Sequence, residues 1–477
     1  MLDDWMKTGI EIATELRDKA EAQEIYDNPR WVDEIGKTGI GQWEGPFPCD
    51  ASLGNVSIVG IQDRGLIKPC CQFNGLGGGE DELSRNWPAI HNLNSLQDIY
   101  KENRWLEYEP NKHCSTCIRE EKGNVFSLRD HWNGRFTPWR DEDVSQDGKP
   151  ELQSLELAFD NTCNMMCRIC NPGQSSKWSA SPVVNELRKH IPDTNYFQVN
   201  NQKVKNYRED LKRVLANSDL SKLRQVLFVG GEPLYTKAIP WFINLLREKR
   251  PDDYQKIEIT CVTNGGLMPD PTLFENFKVK FQVSIDGIGD LQTATRLKIP
   301  WETIDKNIRA MKELDFVNEL TIHSTISVLN INKMSDIINY CYEIGVQLNM
   351  ALLHYPAYYR LDIIPNEIRE KWIEYNGIYD WNYDGPIRRD EPEMSENLYN
   401  KIAQNDLIES YLKMPYNKNV AGVKHFLAAI EITDKESTIK FRDANPEIIE
   451  VMEGLYKQFK EKGEYDLAVE NYFAKLS

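Results

Sequence analysis

Between residues 152 and 353 short apolar runs alternate with helical patterns, and this alternation limits the fold more than any other feature. Strands are expected at Leu152–Phe159, Gln225–Val229, Ile257–Val262, Val279–Ile285, Leu320–Val328 and Val346–Leu353. Helical spacing lies between them at Asn201–Asn217, Ile239–Glu248, Thr303–Leu314 and Lys333–Ile344. Strands separated by helices form parallel βαβ units, so the stretch predicts an α/β domain with a barrel or part-barrel sheet. Active sites of barrels form where the strands end. Polar or glycine-rich segments stand there four times: the cysteine loop 163–170, Gly230-Gly231-Glu232-Pro233, Thr263-Asn264-Gly265-Gly266, and Ser284 with Asp286-Gly287. Four in succession predict a single ligand-lined mouth.

The first of these loops holds Cys163, Cys167 and Cys170. Three thiolates at this spacing can wrap one face of an iron–sulfur cluster. Clusters ordinarily take four protein ligands, so three leave one iron open to another molecule. The competing readings are unrelated cysteines, or zinc, whose structural sites want a fourth Cys or His. No His lies within ten residues of the triplet.

The 477 residues suffice for two or three domains. The formal charge of −17 repels phosphates and anionic lipid, so neither nucleic acid nor membrane is an expected partner. No apolar run approaches a membrane span, and Met1 to Trp5 lacks the basic and apolar regions of a signal peptide. A cytoplasmic location is expected, where clustered cysteines bind metal or do redox chemistry.

Upstream, residues 1 to 30 read as an amphipathic helix carrying Trp5, Ile10, Ile12 and Leu16. A hairpin, Asn55–Val59 and Leu66–Lys68, runs into Cys70-Cys71, and a helix around Ser95 to Glu102 precedes Cys114 and Cys117. The glycine-rich 75–79 segment is no phosphate loop, because no Gly-Lys-Ser/Thr follows it. Cys49, Cys70, Cys114 and Cys117 make a complete four-thiolate set, suited to zinc or to a four-iron cluster. Residues 139–150 are a polar linker. After Pro356 helical spacing returns at Leu407–Leu412, Val423–Ile430 and Ile448–Phe459, expected to cover one end of the sheet. The expected division is a helical extension over 1–48, a cysteine-rich unit over 49–138, the barrel over 151–356 and a helical region over 357–477.

Cys163-x3-Cys167-x2-Cys170 after one strand and Gly230-Gly231-Glu232-Pro233 after the next resemble the radical S-adenosylmethionine (radical SAM) superfamily. The resemblance implies a partial (β/α)6 TIM-like barrel. It implies a [4Fe–4S] cluster on Cys163, Cys167 and Cys170, whose open iron is chelated by SAM. It places Gly230, Gly231 and Glu232 at the SAM amino group, Asn264 near the cofactor, Ser284 and Asp286 near the ribose, and Arg296 at the carboxylate. Ile169 stands where the family usually keeps an aromatic residue against the adenine, and an aliphatic side chain can still cover a ring face. Without the resemblance, Ser284 and Asn264 would read as turn residues and Arg296 as a surface salt bridge.

Cys49-x15-Gly65-x4-Cys70 with Cys114-x2-Cys117 resembles the twitch domain, a shortened SPASM domain with one auxiliary [4Fe–4S] cluster. By spacing the ligand is Cys70 rather than Cys71. Twitch domains follow the barrel in that family; here the cysteines precede it. The implied activity is reductive cleavage of SAM to a 5′-deoxyadenosyl radical, which abstracts hydrogen from a substrate. An oxidative modification of a peptide or protein is expected, with flavodoxin or ferredoxin as electron donor. The alternatives are a small-molecule dehydrogenase acting on an aminocyclitol or nucleotide, and a non-catalytic iron–sulfur or zinc redox scaffold.

Overall fold

A computed structural model describes residues 55–60, 66–68, 70, 89–101, 117, 151–191, 197, 201–375, 412 and 416–462. The expected N-terminal helix, Cys49, Cys71, Cys114, the 139–150 linker and the Leu407–Leu412 pattern up to Leu412 lie outside them.

Ten strands are described: β1 (Asn55–Gly60), β2 (Leu66–Lys68), β3 (Ser154–Ala158), β4 (Met166–Cys167), β5 (Gln225–Val229), β6 (Glu258–Thr263), β7 (Lys278–Ser284), β8 (Arg296–Leu297), β9 (Val317–Ile326) and β10 (Gln347–Leu352). Eight form one sheet in the order β10-β9-β7-β6-β5-β3-β1-β2. The six strands expected from the sequence are those from β3 to β10 of this sheet, each parallel to its neighbour. Among the described residues the edge strands β10 and β2 do not pair, so the sheet is open.

Side chains alternate between the faces of a strand, and the sheet sorts them accordingly. Val226 and Phe228, Ile259 and Cys261, Val279, Phe281 and Val283, and Ile322 are fully buried on one face. The helices that cover a sheet of this kind need apolar residues three and four apart. Among the described residues the α-helices of five residues or more are α1 (Ser176–Ala180), α2 (Val183–His190), α3 (Asn201–Asn217), α4 (Ala238–Lys249), α5 (Asp290–Thr295), α6 (Trp301–Lys312), α7 (Met334–Ile344), α8 (Asn366–Tyr375), α9 (Val420–Thr433) and α10 (Pro446–Glu461). α4 buries Ile239, Phe242, Ile243 and Leu246, and α6 buries Ile304, Ile308 and Met311. α7 stops at Gly345, whose φ of 63° is the left-handed cap that glycine takes without strain. The opposite face is polar: Lys280 and Glu319 pair at 2.8 Å, beside the half-buried Gln282 and His323.

The hairpin is part of this sheet. β1 lies parallel to β3, with Asn55 opposite Ser154 and Ile58 opposite Leu157. The buried Tyr207 of α3 ties the two strands, its hydroxyl 2.6 Å from Ala158 O and 3.1 Å from Ile58 O. A boundary drawn through 139–150 therefore separates strands that hydrogen-bond to each other. β2 is antiparallel to β1, so its end leads to the N-terminal edge of the parallel strands. Cys70 follows that end, whereas Cys163 follows the C-terminal end of β3.

The C-terminal helices join the barrel through buried polar contacts. Asn445 and Asn332 exchange two hydrogen bonds of 2.9 Å, and Glu447 accepts from Asn332 at 2.7 Å and from Trp372 Nε1 at 2.6 Å. Phe426 of α9 packs edge-on against Tyr359 at 5.8 Å and Phe441 at 6.4 Å.

Candidate active site

The cysteine loop is held by the segment just after it. Ser176 Oγ accepts from Cys163 N at 3.0 Å, Ser175 Oγ donates to Met165 O at 2.7 Å, and Trp178 Nε1 donates to Cys167 O at 2.8 Å. Sequence reasoning missed these three. The available signal was Ser175-Ser176 opening a helix five residues past the last cysteine. It also missed β4 and β8, a two-stranded antiparallel ladder that sets Cys167 opposite Arg296 and Met166 opposite Leu297.

The loops after the next strands close on the cysteine loop. Gly230 and Gly231 take φ of 77° and 48°. A Cβ at Gly231 would stand 2.3 Å from Thr162 O, and one at Gly230 would stand 2.5 Å from Ala158 Cβ, so only glycine permits this approach. The approach brings Glu232 N to Thr162 O at 2.8 Å. The Glu232 carboxylate is fully buried and accepts from Leu234 N at 3.0 Å, Thr263 Oγ1 at 2.8 Å and Asn264 N at 2.7 Å. Burial raises its pKa, against these donors, which favour the charged form. Asn264 donates to Asn164 Oδ1 at 2.7 Å and lies 3.9 Å from Cys163 Sγ.

Arg296 is not on the surface. Its Nε donates to Asp286 Oδ2 at 2.7 Å, and Nη1 lies 3.9 Å from Cys167 Sγ. Asp286 is buried and also accepts from Thr325 N at 2.9 Å, which fixes the ion pair against β9. Ser284 is half-buried at the end of β7, paired with His323, and its carbonyl accepts from Gln292 at 3.5 Å. Ile169 is half-buried against the core.

Desolvation pushes Cys167 up to about 12 and raises Cys163 and Cys170 as well. Cys163 adds to the shift at Cys167, both add to it at Cys170, Glu232 adds to it at Cys163, and Arg296 opposes the shift at each. Among the described residues no three Cys, His, Asp or Glu side chains surround a single ion. Three thiols without a fourth Cys or His suit a multi-iron group with an open position better than one tetrahedral zinc. Donors aimed at the sulfurs, from Met165 N at 3.4 Å, Asn264 and Arg296, are of the kind that tune such clusters. Cys70 and Cys117 are buried, and their expected partners Cys49 and Cys114 lie outside the described residues.

Residues 158–341 match the family model of the radical SAM superfamily. This stretch is a radical SAM domain. The superfamily implies a [4Fe–4S] cluster and SAM, and the thiol set fits that group. GTP 3′,8-cyclase of Sulfurovum sp. (strain NBC37-1) is 20% identical over 206 residues, 41% of this chain and 52% of the relative. The chain thus spans about half the length of that curated relative. Among solved structures, native anSMEcpe with bound AdoMet matches at 15% identity, covering 49% of this chain and 61% of that one, with a TM-score of 0.32. Streptococcus suis SuiB bound to S-adenosylmethionine matches at 14% identity, 47% and 44% coverage and a TM-score of 0.28. Among the described residues no helix is long and apolar enough to cross a membrane.

Proposed function

We propose that this radical SAM domain serves an oxidative modification of a peptide or protein. The observation that carries its radical chemistry is the convergence of three strand-end segments on the cysteine loop: Glu232 N on Thr162 O, Asn264 beside Cys163, and the Asp286–Arg296 pair beside Cys167. In this reading Cys163, Cys167 and Cys170 hold the cluster. When bound, cluster and SAM supply a one-electron cleavage that yields a hydrogen-abstracting radical. Gly230, Gly231 and Glu232 meet the SAM amino group. Ser284 and Asp286 stand near the ribose, and Ile169 covers the adenine. Arg296 has five N–H donors, and Asp286 and Cys167 engage two of them, so the others serve the SAM carboxylate.

Cys49, Cys70, Cys114 and Cys117 form the second, auxiliary cluster of the proposal, and its electron donor is a flavodoxin or ferredoxin. Cys70 supports this by its burial and by following the opposite end of the sheet from Cys163, which keeps two clusters apart. The acidic chain and its helical C-terminal region suit a macromolecular substrate. A small-molecule substrate is the second reading, favoured by the match to a GTP cyclase.

The test is anaerobic reconstitution followed by dithionite and SAM. The expected product is 5′-deoxyadenosine, abolished when Cys163, Cys167 and Cys170 are replaced by Ala, with roughly four irons left on the auxiliary site. Iron at both sites with no 5′-deoxyadenosine, with or without cell extract as substrate source, would leave a redox scaffold instead. Fractionating that extract separates the substrate readings: loss of two hydrogens from a peptide supports the first, and from a small molecule the second. Zinc recovered on the four upstream cysteines would remove the auxiliary cluster alone.

A further inference from the structure

One side chain of the cysteine motif has no part in the proposed chemistry. Arg168, between Cys167 and Cys170, is 1% exposed. Its Nε donates to Ala294 O at 2.7 Å, Nη1 to the Thr433 hydroxyl and Nη2 to the Asp434 carboxylate. The guanidinium also lies 5.4 Å from the Phe441 ring centroid. Burying a guanidinium is costly unless it is paired, and here the counter-charge comes from 266 residues along the chain. Asp434 is in turn oriented by Phe441 N at 2.9 Å.

Two residues on, Glu436 makes a second attachment. It accepts from Lys298 Nζ at 2.6 Å and from Ser181 Oγ at 2.8 Å, and its carbonyl takes Lys298 Nζ at 3.0 Å. Lys298 follows Leu297, the β8 residue opposite Met166. The turn after α9 thus grips both strands of the small ladder, β4 through Arg168 and β8 through Lys298. That ladder sets Cys167 opposite Arg296. An apolar side chain would fill the same space; a forked cation with fixed partners sets a direction as well.

We propose that the turn Thr433 to Glu436 is a brace that sets the placement of Cys167 and Arg296, with Arg168 and Lys298 as positioning residues. What is positioned rests on the proposed function; the brace itself does not. The experiment therefore has two arms, with D434N, E436Q and D434E.

In the first arm, deuterium exchange is followed by mass spectrometry on iron-free protein. D434N speeds exchange over 163–171 and 294–299 by about tenfold or more and leaves α7 unchanged, because local opening is independent of global unfolding. E436Q, at the more exposed attachment, does so over 294–299 and keeps the test open should D434N not fold. Unchanged exchange in these peptides, or equal acceleration in α7, overturns the brace.

In the second arm, the reconstituted protein is examined by electron paramagnetic resonance with and without SAM. Residues that orient metal ligands are worth about 10- to 100-fold in affinity. D434N is expected to weaken iron retention within that range and to blunt the spectral response to SAM, and D434E to restore both. A wild-type response in D434N overturns the positioning role. If unaltered protein loads no iron on the triplet, the functional reading fails, while the exchange result still decides the brace.

Discussion

Gly231 shows how tightly single positions are constrained at the mouth of the sheet. Its φ of 48° and the carbonyl of Thr162, 2.3 Å from an added Cβ, leave no room for any other residue. Gly231→Ala is expected to destabilise the protein by more than about 1 kcal/mol, read by urea unfolding, and to pull Glu232 N away from Thr162. The cysteines carry a pH signature. Cys167 moves from an ordinary 9.0 up to about 12, with Cys163 and Cys170 shifted the same way by burial. In iron-free protein the folded state then keeps protons that the unfolded state releases. The stability from these thiols is complete below about pH 9 and is lost as pH rises toward about 12. The urea midpoint should fall between about pH 8 and about pH 10, and more steeply than in the triple Cys→Ala variant. Equal slopes would show that the thiols are not responsible.

Among the elements, the junction of β1 and β3 is the one that sequence reading did not reach. The hairpin at 55–68 was expected, and so was β3, but nothing in either run says that they pair. A parallel pair between segments nearly a hundred residues apart depends on what packs beneath it. Here that includes Tyr207, whose hydroxyl spans both strands. Tyr207→Phe removes the one buried O–H donor shared between Ala158 O and Ile58 O and is expected to cost about 1–3 kcal/mol. Amide exchange in β1 should rise before that in β6 or β7, whose pairing does not involve Tyr207. Uniform exchange across the sheet would count against that junction. The helices α3, α4, α6 and α7 fall close to where the apolar spacing put them, because each buries a stripe that only helical periodicity produces. The ladder of β4 and β8 was invisible, since two-residue strands leave no periodic trace.

At the scale of the whole molecule, the barrel and the C-terminal helices share a core. Phe426 reaches Tyr359 and Phe441, Asn445 reaches Asn332 behind β9, and Asp434 reaches the cysteine loop. Phe426→Ala, at a fully buried position, is expected to cost about 3–5 kcal/mol. Because the contacts cross between regions, calorimetry should show the barrel melting earlier too. A lowered transition confined to α9 and α10 would mean that the two regions unfold independently.

The sequence alone determined the parallel α/β sheet, its six strands and the segments that end them, while their order in the sheet is read from the structure. Hydrophobic period and loop chemistry are local properties, and they can be read along one chain. The sequence also singled out the residues that meet at the mouth, because cysteine spacing and glycine pairs carry their chemistry in their type. Only the tertiary structure decided that Arg296 is buried against Asp286 rather than exposed, that the hairpin extends the main sheet, and that Arg168 is answered by Asp434. The last two join groups distant in sequence, and the first joins residues ten apart. What selects them is the cost of leaving a buried charge or strand edge unpaired, which is settled by neighbours and not by period.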